Sequence, residues 1–117
     1  MKLLNSNLHG LVDYIFVLFL WLSPTIFQLP DNTALFTYIL GSIHLLVTVT
    51  TNFKFGLFKI LPFKIHGWIE LIVSIALIGV AFYLGTMEGN LARNFYFGIA
   101  ILVFTTWLIS DYSEVKK

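Results

Sequence analysis

The sequence predicts an all-α membrane protein whose four transmembrane helices form two tandem helical hairpins, and two observations carry this prediction. Hydrophobic residues make up 58% of the 117 residues and charged residues only 11%, which lies outside the range of ordinary soluble domains. In addition, the motif His-Gly-x-x-acid occurs at residues 9–13 and again at residues 66–70. The two copies are 57 residues apart, and the same offset aligns Asp31 with Glu88. We therefore expect one unit of about half the chain to occur twice.

The chain contains four long apolar runs, and we expect them to form a single domain. A helix of roughly 20 residues reaches about 30 Å, enough to cross the hydrocarbon core of a bilayer. Pro24 predicts a kink or an early end in the first run, and Pro30, Asp31 and Asn32 predict a tight turn after it. The predicted helices span residues 8–27, 34–52, 64–84 and 91–109, with a second turn at residues 85–90.

Residues 53–63 join the two predicted repeats, which cover about residues 8–52 and 65–109. This segment contains aromatic residues and lysines interrupted by Gly56 and Pro62, a pattern that predicts a stretch in the lipid headgroup layer rather than a fifth span. Because each repeat contains two spans, both copies have the same orientation. A pseudo-two-fold axis along the membrane normal is therefore predicted.

The basic residues predict the orientation in the bilayer. Four spans place both termini and the joining segment on one side, where six of the seven basic residues lie, and only Arg93 belongs to the other side. By the positive-inside rule we expect both termini in the cytoplasm, with the protein in the bacterial inner membrane. The net charge of +1 carries no signal for nucleic acid. The expected partners are the lipid bilayer and either a second copy of the chain or a larger membrane complex.

Small and hydroxylated residues predict how the helices pack. In the second helix they follow one another at spacings of three and four, which places them on one stripe where a neighbouring helix can approach closely. The residues of this stripe are Thr37, Gly41, His44, Thr48 and Thr51. Gly98 and Thr105 are the counterparts of Gly41 and Thr48, so we expect all four residues at helix contacts.

Five polar residues in the apolar runs are the candidates for a ligand or ion site. His9 with Asp13, and His66 with Glu70, are each spaced by four residues and therefore project from one helical face. If the two pairs meet, two nitrogens and two oxygens become available to zinc, manganese or iron. The alternative is that each pair is a hydrogen-bonded lock at a helix end. His44, whose counterpart in the second copy is Ile101, is the unmatched fifth candidate.

The chain resembles the SPW-repeat membrane proteins, a family of small four-span chains whose half begins His-x-x-x-Asp-Tyr and continues to Ser-Pro-Trp. The residues that carry the resemblance in the first half are His9, Asp13, Tyr14, Ser23 and Pro24. Those in the joining region are Asn52, Phe53, Gly56, Lys59, Pro62, Lys64 and His66. Thr25 stands where the family has tryptophan, and residues 80–82 lack the tripeptide altogether. The resemblance spans nearly the whole chain; it implies the four-span fold and implies no activity.

Three classes of function fit this sequence. The first is a small-solute or ion binding and transport component whose polar site involves His9, Asp13, His44, His66 and Glu70, with a homodimer expected because one small bundle has little room for a path. The second is a membrane redox protein in which a histidine ligates haem or contacts quinone. The third is a structural subunit of a larger complex. No nucleophile elbow, phosphate loop or dinucleotide fingerprint is present, so the sequence favours a protein that is not an enzyme. The favoured cofactor prediction is none, with a metal or haem as the alternatives.

Overall fold

The computed structural model describes residues 3–52 and 56–112, and four helices make up most of this part of the chain. Each helix is long and apolar enough to cross a membrane, as the sequence predicts. The helices are α1 (Ser6–Ile26), α2 (Asp31–Thr50), α3 (Phe63–Glu88) and α4 (Asn90–Ile109). Helix α1 packs chiefly on α2 and helix α3 on α4, whereas α2 and α3 make few contacts.

Helix α1 begins and ends where its polar residues dictate. The N–H of Leu8 donates to Asn5 Oδ1 over 2.9 Å, so a side chain satisfies one of the orphan donors at the helix start. Pro24 lies inside the helix, which ends two residues later at Ile26. One turn before this end, Ser23 Oγ donates to the carbonyl of Phe19 over 2.6 Å. The helix therefore continues past Pro24 and ends one residue before the predicted end at residue 27.

Helix α2 turns its predicted stripe of small and hydroxylated residues inward. Thr37, Gly41 and Thr48 are buried, and a Cβ added at Gly41 would lie 2.8 Å from the Trp21 ring of α1. Gly41 is therefore a point of close approach between α1 and α2. Thr37 Oγ1 lies 2.5 Å from the hydroxyl of Tyr96, which ties α2 to α4.

The predicted bounds of the second turn, residues 85–90, are wrong on the α3 side, because α3 continues without a break to Glu88 and only Gly89 separates it from α4. Gly85 is helical, and a Cβ at this position would meet Arg93 of α4 at 2.8 Å, so this glycine serves close packing rather than a turn. The chain reverses at Gly89 alone, whose φ of 102° lies in the region that glycine adopts without strain.

The packing roles predicted for Gly98 and Thr105 are also wrong within this chain. Both residues are exposed, and none of the described atoms lies within 4 Å of the position that a Cβ of Gly98 would occupy. The reason is that the α3–α4 contact uses other small residues, including Ala92 and Ala100, which are buried on the opposite face of α4.

The described residues nearest both chain ends meet at one end of the bundle, beside the described part of the joining segment. The N–H of Leu4 donates to the carbonyl of Ile109, and the N–H of Asp111 donates to the carbonyl of Leu4, each over 2.9 Å. Next to them, the N–H of Asn52 donates to the carbonyl of Leu61 over 2.6 Å. The predicted segment at residues 53–63 lies partly outside the described residues; residues 56–62 precede α3 without helical structure, and Phe63 is the first residue of α3.

At the opposite end, Glu88 joins the two hairpins. Its carboxylate accepts hydrogen bonds from the N–H of Asn32 (2.8 Å) and from the N–H and hydroxyl of Thr33 (2.6 Å each). Helix α2 has no side-chain cap of its own, because Pro30 occupies its N-cap position. The last residue of α3 therefore caps the first turn of α2, with its negative charge at the positive end of the helix dipole.

We predict that Glu88→Ala lowers the thermal unfolding midpoint of the protein in detergent, because three donors at the start of α2 lose their acceptor. The measurement is unfolding followed by circular dichroism. Thr86→Ala is the matched control, since its exposed hydroxyl bonds only to its own helix at Tyr83. An equal effect of the two substitutions would contradict the capping role.

Candidate functional site

The two His-Gly-x-x-acid motifs meet inside the bundle. His9 and Asp13 lie on the first turns of α1, and His66 and Glu70 lie on the first turns of α3. All four side chains are buried, with exposed fractions of 0–5%. The i, i+4 spacing directs each pair from one helical face, and the two faces oppose each other. The convergence that sequence alone left open is therefore present in the fold.

Four nitrogen–oxygen distances close a ring between the two helices. His9 Nε2 lies 3.0 Å from Glu70 Oε2 and 3.2 Å from Asp13 Oδ2. His66 Nε2 lies 3.1 Å from the same Asp13 oxygen and 3.2 Å from the same Glu70 oxygen. We call these four atoms the inner ring; all of them lie within 4.8 Å of one another. Each atom thus has two near neighbours, one from each motif.

The outer nitrogen of each imidazole is held by a hydroxyl at the end of another helix. His66 Nδ1 lies 2.8 Å from Thr51 Oγ1, which follows α2, and His9 Nδ1 lies 2.7 Å from Ser110 Oγ, which follows α4. Both hydroxyls already donate their proton to a carbonyl one turn back, Thr51 to Val47 and Ser110 to Thr106. The hydroxyls therefore accept from the imidazoles, which assigns a proton to Nδ1 of both rings.

The outer oxygen of each carboxylate lies near a group outside the inner ring. Tyr112 donates its hydroxyl proton to Glu70 Oε1 over 2.5 Å. Asp13 Oδ1 lies 3.5 Å from Nε2 of His44, the unmatched histidine on α2. The inner atom Asp13 Oδ2 has no hydrogen-bond partner of suitable geometry among the described residues, although both imidazoles lie close to it. This buried oxygen is aimed into the centre of the cluster.

Aromatic side chains close the site toward the end of the bundle that carries the termini. The rings of Phe63 and Tyr112 stand edge-on to His9, with centroid distances of 5.2 and 5.4 Å. The Tyr112 ring lies directly against Gly67, where a Cβ would approach it to 2.9 Å, so the motif glycine makes room for the tyrosine. Burial, with Glu70 beside it, raises the pKa of the Tyr112 phenol well above its ordinary value and keeps it a hydrogen-bond donor.

His44 lies beside the site rather than in the inner ring. Its ring stands edge-on to Phe16 at 5.3 Å, and its Nε2 is buried without a hydrogen-bond partner among the described residues. Two cavities, of about 50 and 30 Å³, border the site, and His44 and Glu70 line both of them. All five predicted site residues therefore come together at one end of the bundle.

Three contributors to the site were missed as functional residues in the sequence. Thr51 is predicted only as part of the packing stripe, and no motif in the sequence marks Ser110 or Tyr112. Each lies far along the chain from the side chain that it contacts, which is His66 for Thr51, His9 for Ser110 and Glu70 for Tyr112. No local spacing therefore connects them to the predicted site. The one available signal is a hydroxyl at the end of the second helix of each hairpin, Thr51 near the end of the predicted helix 34–52 and Ser110 directly after the predicted helix 91–109.

We predict that Thr51→Val destabilises the protein by about 1–3 kcal/mol, because it leaves the buried Nδ1–H of His66 without an acceptor while conserving side-chain shape. Unfolding free energy measured by denaturant titration in detergent checks this value. Thr50→Val is the control, because the Thr50 hydroxyl bonds only within α2, to Leu46 and Val47. Equal stability of the Thr51→Val variant and the wild type would rule out the assigned hydrogen bond.

Comparisons with protein-family models, curated proteins and solved structures found no match to this chain. The similarity to the SPW-repeat proteins therefore stays a prediction from short motifs, and the function has to be argued from the geometry of the inner ring and its surroundings.

Proposed function

We propose that this protein is an integral membrane protein that binds one divalent transition-metal ion, zinc, iron or manganese, between His9, Asp13, His66 and Glu70. The observation that carries the proposal is the inner ring, in which two imidazole nitrogens and two carboxylate oxygens alternate at 3.0–3.2 Å. A metal site is the most concrete form of the ion-binding role that the sequence predicts.

The dimensions of the inner ring suit a metal ion. Four atoms spaced about 3.1 Å apart around a flat ring lie about 2.2 Å from its centre, and about 1.9 Å when the ring puckers into a tetrahedron, against metal–ligand distances of about 2.0–2.2 Å. An ion at this centre needs little movement of the ligands. It would also give Asp13 Oδ2 the partner that it lacks among the described residues.

The charges and the outer contacts support the same conclusion. With Nδ1 protonated, each neutral imidazole presents an Nε2 lone pair to the centre, and the two carboxylates balance the charge of a divalent cation. Metal-binding histidines commonly donate their other N–H to an acceptor that fixes the ring, as Thr51 and Ser110 do here. Nitrogen and oxygen donors together suit zinc, iron and manganese.

The spacing of the histidines favours an ion over haem. The ring centroids of His9 and His66 are 5.2 Å apart and those of His44 and His66 are 6.5 Å apart, at steep interplanar angles. The cavities beside them, of about 50 and 30 Å³, hold a few atoms each and are far smaller than a porphyrin.

We further propose that the centre lies at the cytoplasmic end of the bundle. The described residues nearest both chain ends meet there, beside the described part of the joining segment, and Lys59 and Lys64 belong to that end. Arg93, the one basic residue predicted for the other side, contacts Gly85 near the opposite end. The distribution of basic residues supports this orientation through the positive-inside rule.

The metal proposal predicts that purified, chelator-treated protein in detergent takes up one Zn²⁺, Fe²⁺ or Mn²⁺ ion per chain, measured by equilibrium dialysis and elemental analysis. Glu70→Gln and Asp13→Asn each remove a charged ligand with little change of shape and should abolish the uptake. Thr51→Val should weaken it by about 10–100-fold through the outer contact. Thr50→Val serves as the control and should bind like the wild type.

The same measurements separate the metal centre from a helix-end lock. Metal at 100 times its dissociation constant should stabilise the folded protein by about 2.7 kcal/mol. If the wild type takes up none of the three ions, and chelation leaves its stability unchanged, the inner ring is an ion-paired lock and the metal proposal fails. A Soret band in the visible spectrum would instead indicate haem.

A further inference from the structure

We propose that the metal centre, if it forms as described above, has an open coordination position facing His44, where it binds a small uncharged molecule of the dioxygen class that arrives through the bilayer. This inference rests on the proposed metal site and narrows it. Such a metal must accept a fifth ligand, which points to iron or manganese rather than to zinc in a closed tetrahedral site.

The larger of the two cavities beside His44 indicates the size of the ligand. Its volume is about 50 Å³, and since one water needs about 10–15 Å³ of such space, the cavity accommodates roughly three to five atoms beyond hydrogen. A molecule of two or three such atoms fits with room to move. A quinone ring, by contrast, is too large without rearrangement of the helices.

The lining of the cavity gives the polarity of the ligand. Most of the wall is aliphatic or aromatic, and the polar groups are confined to the end formed by His44, His66 and Glu70. An anion would lose its hydration in this space without a matching charge, which is costly. A neutral molecule that dissolves in lipid has no such cost of dehydration. It would reach the metal ligands at the polar end of the cavity.

The surroundings of the cavity give the route. Phe63 and Tyr112 close the site toward the chain termini, where His9 and His66 are fully buried. The cavity lies instead between α2 and α3, the two sequence-adjacent helices that pack most loosely on each other. Ile43 in its wall is 53% exposed on the surface of the bundle. In a membrane, that surface faces lipid rather than water.

His44 supplies the specific contact at the polar end. Its Nε2 is buried without a hydrogen-bond partner among the described residues, and a buried polar atom of this kind is costly unless something satisfies it. It lies 3.5 Å from Asp13 Oδ1, beside the inner ring but outside it. A diatomic molecule bound through one atom to the metal would place its second atom toward His44. This accounts for a histidine that has no counterpart in the second copy of the repeat.

Nitric oxide is the probe for this position, because its adduct with Fe²⁺ gives an electron paramagnetic resonance signal that Fe²⁺ alone lacks under ordinary conditions. Coordination forms an iron–nitrogen bond and breaks no bond in the probe. The experiment uses full-length protein in detergent, loaded anaerobically with Fe²⁺, and expresses the signal per bound iron. The wild type should form the adduct.

Two variants and one control locate the binding position. Val73→Phe fills the cavity and should abolish the adduct signal per iron. The control, Ile72→Phe, introduces the same phenylalanine side chain at the neighbouring, lipid-facing residue and should preserve the signal. His44→Leu should weaken nitric oxide binding by about two- to tenfold, the effect of one lost hydrogen bond.

The outcomes distinguish the two proposals. Iron uptake without a nitric oxide adduct, or an adduct that Val73→Phe leaves intact, overturns the open position and leaves the metal site standing. Absence of iron uptake by the wild type overturns both proposals. An adduct lost in Val73→Phe and retained in Ile72→Phe supports the route and the position together.

Discussion

Four ionisable side chains are buried between α1 and α3, and the rest of the bundle is arranged to make that burial tolerable. An isolated charge in such an interior costs many kcal/mol, so each carboxylate and imidazole needs compensation from close neighbours. The inner ring provides it by alternating nitrogen and oxygen at 3.0–3.2 Å, with either a proton on each Nε2 or a bound cation between the nitrogen and oxygen atoms. A half-satisfied network would be worse than an apolar core, which explains why nearly every outer atom of the four groups also has a partner.

The outer partners bind the two hairpins to each other in a crossed pattern. Helix α1 belongs to the first hairpin, but its His9 is held by Ser110 after α4, and His66 of α3 is held by Thr51 after α2. Since α2 and α3 pack loosely, these polar contacts and the Glu88 cap join the hairpins together with the apolar core, in which Phe16 and Leu20 of α1 pack with residues of α3 and α4. The site and the tertiary structure therefore depend on the same hydrogen bonds.

The two halves are alike where they form the inner ring and different around it. Both contribute histidine, glycine and acid at the same spacing, which supports the proposed repeat. Gly41 packs against Trp21, however, whereas Gly98 faces outward, and His44 stands where the second copy has Ile101. A symmetric ring with one unmatched histidine on one side has two unequal faces. That inequality directs the proposed open coordination position toward α2 and its cavity.

The sequence by itself determined the four spanning helices, the recurrence of the His-Gly-x-x-acid motif and the five candidate residues. Those features depend on local properties, namely apolar run length, turn residues and the i, i+4 geometry of a helix. It misjudged the end of α3 because Gly85 reads as a turn residue, whereas close packing on Arg93 keeps it helical. Only the tertiary structure decided that the two motifs converge and that Thr51, Ser110 and Tyr112 complete the site. The physical reason is that these contacts join residues far apart in the chain, and helix rotation and hairpin docking, which no local spacing encodes, bring them within hydrogen-bond distance.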